Sequence, residues 1–317
     1  MHETCRVAFV GAGYMASEHL RAFAGLPRVE LAGLYSRTAA RASRLAEAYP
    51  QLTLCASIPE LYGRTQAELV VIAVNELSVK DVAHACFAFP WTVLIEKPAG
   101  YNLADAATIA RGARQMRRNV LVALNRRCYG STRAVRQRLD RLAGSRFIKV
   151  QDQEDIVEAR QLGKPDAVIA NWMYANAIHL VDYFRVFGRG EVAKVHKVIP
   201  WNPEAPGFVV AHLEFESGDI GLYEAVWNRP APWAVTAHAA RERYELRPLE
   251  LAGFQINGQR QITALPADPL DQLCKPGLRY QAQQAIHAAR GEANELSTID
   301  DAYQTMQLVA RIYGDGH

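Results

Sequence analysis

The chain has 317 residues, half of them hydrophobic and 22% charged, an ordinary balance for a globular protein long enough to form two domains. Its 36 Lys and Arg against 33 Asp and Glu leave a net charge of +3, too small to suggest a nucleic-acid partner. No apolar run approaches the roughly 20 residues of a membrane span, so no membrane partner is expected. No basic segment with a signal core opens the sequence, and the five cysteines are widely spaced without a CxxC. A cytoplasmic protein with reduced thiols is the expectation.

Val7–Val10 reads as a short buried strand, followed at once by Gly11-Ala-Gly13-Tyr14-Met15-Ala16 and a helical stretch. Strand, glycine turn and helix in that order form a GxGxxG-type dinucleotide fingerprint with alanine in its third place. Gly11 allows the tight turn, Gly13 lets backbone approach a pyrophosphate, and Ala16 permits close helix–strand packing. Tyr14 and Met15 lie in the same turn. The helix N-terminus then offers unpaired N–H groups and a positive dipole end to the phosphates.

The next strand, Val29–Tyr35, ends in Ser36-Arg37 where an NAD enzyme usually carries an acid for the ribose diol. Serine offers an uncharged hydroxyl and arginine can grip a phosphate with two N–H bonds, so NADP is preferred over NAD. A solvent-facing Arg37 at the start of the following helix is the plain alternative. Further apolar strands are expected at 52–55, 69–74, 92–96 and 119–124, with helices near 39–49, 80–89 and 104–115. Continuous apolar strands alternating with amphipathic helices indicate a parallel sheet covered on both faces, ending near Leu124. Within it, Glu96-Lys97-Pro98 closes the fifth strand. That places an amine at the carboxyl end of a buried strand, where open α/β sheets keep their ligands.

Together with His179 and Asp182 further on, these motifs resemble the glucose–fructose oxidoreductase, inositol dehydrogenase and rhizopine-catabolism (Gfo/Idh/MocA) family. The resemblance implies an N-terminal Rossmann domain with a doubly wound parallel sheet (1–124). It also implies a C-terminal domain on a large, mostly antiparallel sheet (125–317), which binds substrate and commonly mediates oligomerisation, giving an α/β plus α+β chain. It further implies an NAD(P)-dependent dehydrogenase or reductase of a sugar, nucleotide sugar or cyclitol, working as a homo-oligomer (dimer or tetramer). Lys97 matches the family's catalytic lysine, and Pro98 a position that is often cis. A lysine of pKa about 10.4 in water has to fall well below that value to serve as a base near neutrality. Val74 and Asn75 match the loop beside the cofactor, without the usual threonine-proline. Asn125 matches a position that can reach the nicotinamide carboxamide, and Arg127 serves either substrate or domain junction. Glu96 is expected to brace backbone or cofactor.

Beyond Phe147 the pattern changes to strands, at 147–150, 193–200, 208–215, 220–227 and 235–246, with Glu216-Ser-Gly-Asp219 as a hairpin turn. The intervening run from Asn171 reads as a helix with Asn176, His179 and Asp182 on one side. His179 matches the family's active-site histidine. One departure matters: many members have aspartate four residues before that histidine, and here the residue is Ala175. Asn176 or Tyr174 can orient substrate in its place, but an asparagine is no base. Trp172, Tyr223 and Trp227 are either sugar-facing aromatics or sheet core. His84, His196, His212 and His238 lack metal-ligand spacing, His19 reads as structural, and no metal is expected. Two readings compete with the sugar dehydrogenase: a reductase of a non-sugar carbonyl or imine, and a non-catalytic NADP-binding sensor or scaffold.

Overall fold

The computed structural model describes residues 4–314, which fall into two compact units. The first holds the chain through Asn125 together with Leu270–Tyr303, and the second holds Arg126–Pro269 together with the residues from Gln304.

In the first unit strand and helix alternate: β1 (Cys5–Val10), α1 (Tyr14–Ala24), β2 (Val29–Tyr35), α2 (Ala39–Glu47), β3 (Thr53–Cys55), α3 (Ile58–Thr65), β4 (Leu69–Ile72), α4 (Val79–Phe87), β5 (Thr92–Glu96), α5 (Leu103–Gln115) and β6 (Val120–Ala123). All four residues of β4 are fully buried, as a strand covered by helices on both faces must be. Each such side chain contributes roughly 1.5–3 kcal/mol by leaving water. Two of these helices are capped by side chains. The Asn102 side chain accepts from the Asp105 N–H at the start of α5, and Ser57 caps α3 by accepting from the Glu60 N–H.

The second unit continues with α6 (Gly130–Leu139), β7 (Arg146–Glu154), α7 (Ile156–Gln161), α8 (Asp166–Ile169) and α9 (Ile178–Phe187). Then come β8 (Val192–Ile199), β9 (Phe208–Phe215), β10 (Ile220–Trp227), β11 (Ala234–Ala239), β12 (Glu242–Leu246), β13 (Ala252–Ile256) and β14 (Thr263–Ala264). These form an eight-stranded sheet in the order β14-β13-β12-β11-β7-β10-β9-β8, antiparallel except for the β7–β10 pair. Burial alternates strictly along β7, β9 and β10, so one face is covered and the other open. The single strand expected over 235–246 is two strands. They meet at Ala240, whose φ of +50° makes a tight turn without glycine, asparagine or proline to announce it.

The chain then returns to the first unit with α10 (Leu270–Leu273), α11 (Leu278–Ala289), β15 (Ser297–Thr298) and the start of α12 (Ile299–Tyr313). The two-residue β15 pairs antiparallel with β6, closing one edge of a seven-stranded sheet ordered β15-β6-β5-β4-β1-β2-β3. A division at 124/125 read from the sequence leaves this return unaccounted for, because nothing local in 270–303 says which sheet it joins. The stripe Ala302, Met306, Val309 and Ile312 on α12 is fully buried. No helix among the described residues is long and apolar enough to cross a membrane.

Candidate active site

In the first unit, β1 and β4 lie side by side where the strand order reverses, the position at which open α/β sheets bind ligands. Gly11 ends β1 with a φ of +112°, and a β-carbon there would sit 2.0 Å from the Ala73 carbonyl oxygen and 3.3 Å from Val74 Cγ1. Packing alone therefore demands Gly11. Gly13 differs: a β-carbon built on it meets nothing within 4 Å. No neighbour among the described residues requires glycine there, whereas a ligand approaching the backbone would. Gly13 also caps α1 without a side chain, and no acidic residue stands in the helix's first turn. Those N–H groups and their dipole fit a phosphate.

Tyr14 is two-thirds exposed, and Lys275 from the returning segment holds its ammonium 5.2 Å from the Tyr14 ring centroid and 3.7 Å from Met15 Sδ. Sequence spacing gives no hint of this lysine, which lies 260 positions from Met15.

At the far end of β2, Arg37 is exposed and donates from Nη2 to Ser78 Oγ at 3.0 Å. The Ser78 N–H in turn donates to Asn75 Oδ1 at 3.1 Å, and Ser36 Oγ accepts from the Thr38 N–H at 3.3 Å. Arg37, Asn75 and Ser78 thus form one cluster, although 41 positions separate the arginine from the serine.

Lys97 follows β5, half-buried, and its peptide bond to Pro98 is cis. Glu96 is turned back into the protein. One carboxylate oxygen lies 2.8 Å from His19 Nε2 on α1, and the other accepts the Lys97 N–H at 3.1 Å. His19 is thus structural and Glu96 braces the backbone that carries Lys97. Asn125 donates from Nδ2 to the Pro276 carbonyl at 3.2 Å.

In the second unit, a π-helical turn over Met173–Ala177 precedes α9. Trp172 and Asn176 are half-buried, while Tyr174, Ala175 and His179 are buried. Asp182, one turn into α9, is gripped by Arg127: Nε and Nη2 donate to its two oxygens at 2.6 Å each. Thr305 Oγ1 donates to the same carboxylate at 2.9 Å. Removing one partner of so buried a pair costs about 3–5 kcal/mol. Tyr223 and Trp227 belong to the core, Trp227 packing on Trp201 and Tyr313.

Two buried acids on β7 carry chemistry that the motifs do not reveal. Asp152 Oδ2 accepts from the Tyr223 hydroxyl at 2.7 Å, and that hydroxyl is 2.7 Å from Tyr313 Oη. Glu154 Oε2 accepts from the Asn176 amide at 3.0 Å. Burial pushes the Asp152 carboxyl up to about 7, against the pull of the Tyr223 hydroxyl. Burial, and then the neighbouring charge of Asp152, raise Glu154 well above the usual carboxylate range. Spaced by two on one strand, the pair faces the same side, and like charges that close resist joint ionisation. The alternation of β7 was the available signal; an acid at each of two inward positions contradicts an apolar core.

Residues 5–124 match the model of the Gfo/Idh/MocA oxidoreductase family, NAD-binding Rossmann fold. The chain carries the nucleotide-binding domain of that family. It is an NAD(P)-binding oxidoreductase. Among solved structures, a dehydrogenase from Chromobacterium violaceum is similar with a TM-score of 0.85 and 19% identity, over 98% of this chain and 95% of that one. The UDP-N-acetylglucosamine 3-dehydrogenase of Acidithiobacillus ferrooxidans gives 0.79 and 15%, over 98% and 97%. A levoglucosan dehydrogenase in complex with NADH and L-sorbose gives 0.82 and 14%, over 98% and 96%. At these identities the likeness concerns the fold. No curated protein matches the chain in sequence.

Proposed function

We propose that this oxidoreductase moves a hydride between the nicotinamide of NADP and the carbinol or carbonyl carbon of a sugar, nucleotide sugar or cyclitol. The observation that carries the reading is Lys97, held by a braced strand end in the same sheet whose glycine turn fits a dinucleotide phosphate. The bound cofactor supplies the hydride chemistry, and the protein has to move a proton at the substrate oxygen. Lys97 gives or takes that proton. His179 assists, while Trp172 and Asn176, the half-buried positions of its helical segment, contact the substrate. Arg127 is committed to Asp182 and shapes the second unit more than it touches substrate. The named activities of two similar structures, on a nucleotide sugar and an anhydrosugar, support the substrate class.

The preference for NADP rests on Arg37 and Ser36 in the absence of an acid after β2. Homo-oligomerisation through the open face of the second sheet is part of the reading, supported by the exposed cross-strand neighbours Phe147 and Ile220. A second reading, reduction of a non-sugar carbonyl or imine, is favoured by Ala175, which stands where many relatives carry aspartate.

The test is a panel of sugars, nucleotide sugars and cyclitols with NADP, then Lys97→Met and His179→Ala on the best substrate. Lys97→Met is expected to cut kcat by at least about 100-fold with cofactor affinity retained, as loss of a positioned proton carrier does. Wild-type turnover in Lys97→Met would refute the assignment. Turnover confined to non-sugar carbonyls would transfer it to the second reading.

A further inference from the structure

On the open side of the second sheet, three side chains with no part in the chemistry above converge. His196 on β8 and His212 on β9 are directly opposite each other in the antiparallel ladder, and Glu214 lies two residues beyond His212 on the same face. Their ligand atoms all lie within 4.8 Å of one another, with His196 Nε2 3.0 Å from Glu214 Oε1. The imidazole centroids are 5.8 Å apart and their planes are inclined by 34°. In sequence the histidines stand 16 apart, with no pattern of metal-ligand spacing. The strand register alone joins them.

We propose that His196, His212 and Glu214 form a binding site for a divalent transition-metal cation, zinc first, that clamps the edge strand β8 to β9. Two neutral imidazoles and one carboxylate are a donor set suited to borderline cations and poorly suited to calcium or magnesium. A tetrahedral zinc with bonds of 2.0–2.1 Å needs donors about 3.4 Å apart. One donor pair, at 3.0 Å, is already close to that spacing, and all three donors lie within 4.8 Å of one another. The fourth position is left for water. Lys194, across the ladder from Glu214 with its ammonium 3.6 Å from Oε2, is the competitor a metal would displace. β8 is the last strand of its sheet and mostly exposed, so it gains most from a second tie to β9.

The experiment is calorimetric titration of untagged, chelator-treated protein with zinc chloride, alongside thermal melts with and without the ion. One equivalent is expected to bind with micromolar affinity and to raise the melting temperature by several degrees. His196→Ala and His212→Ala are each expected to abolish both effects, and Glu214→Gln to weaken binding about tenfold. Lys194→Ala should leave binding intact or tighten it, which separates coordination from a general loss of surface charge. Absence of binding at 100-fold excess zinc would overturn the proposal. Stoichiometry and melting shift unchanged in the double histidine variant would overturn it equally, since the ion would then sit elsewhere.

Discussion

At the scale of single residues, the two glycines of the turn separate what the fold needs from what a ligand needs. Gly11 is required by the Ala73 carbonyl, whereas Gly13 faces open space. Arg37 poses a similar question, because its bond to Ser78 could be a structural end in itself. An exposed arginine–serine bond contributes only about 0.5–1.5 kcal/mol, so holding the loop is a weak reason to keep a guanidinium there. Positioning a fork for a phosphate is a stronger one. Arg37→Ala is therefore expected to weaken NADPH binding by at least about tenfold, the scale of one charge-assisted pair, and NADH binding by less than twofold. Calorimetry with both cofactors checks it, and equal losses would show that Arg37 does not read the phosphate.

At the scale of elements, β7 and the π-helical turn share the Glu154–Asn176 bond, and β7 also carries Asp152 into the Tyr223–Tyr313 cluster. The Asp152 carboxyl titrates near 7 in the folded protein and at 3.8 ordinarily. The folded state thus holds a proton that the unfolded chain has released across that window. Its stabilising contribution is complete below the lower value and is lost as pH rises through about 7. Glu154, shifted the same way, adds to the slope. Asp152→Asn keeps an acceptor for Tyr223 without the titration. Relative to wild type, the variant should gain on the order of 2 kcal/mol between pH 5.5 and 8. Denaturant melts at both values measure it, and parallel profiles for the two proteins would sink the idea. The element also shows why Ala175 was legible as a departure while its surroundings were not. A motif comparison sees a missing aspartate at one position, but the acid that accepts from Asn176, Glu154, arrives from a strand 22 residues earlier, through burial and register.

At the scale of the whole molecule, the parallel sheet could be read almost strand by strand, because four or five consecutive apolar residues between helical repeats have few other uses. The positions of Gly11, Arg37 and Lys97 followed from it. What resisted reading was long-range: the turn at Ala240, the union of His196 with His212, and the return of Leu270–Tyr303 to the first unit. That return has a consequence for folding. α11 packs on α1, β4 and β5, with Leu278, Ala282, Ala285 and Ile286 buried, and β15 covers the outer edge of β6. A fragment ending at Asn125 would expose that surface and an unpaired strand edge, a combination that favours aggregation. It would also lose Lys275 beside the glycine turn. Asn125 and Pro276 are in hydrogen-bond contact, and Leu270 is six residues from Pro276, so a flexible glycine–serine linker of about ten residues has the reach to join residues 4–125 to 270–303. The 4–125 fragment is expected to unfold without cooperativity and to bind no NADPH. The joined chain should melt in a single transition and bind the cofactor within about tenfold of the intact protein, as an independently folding unit does. Circular dichroism melts and calorimetry on the two fragments decide the matter: a well-folded, NADPH-binding 4–125 would show that the returning segment is an accessory to the nucleotide-binding unit and not part of it.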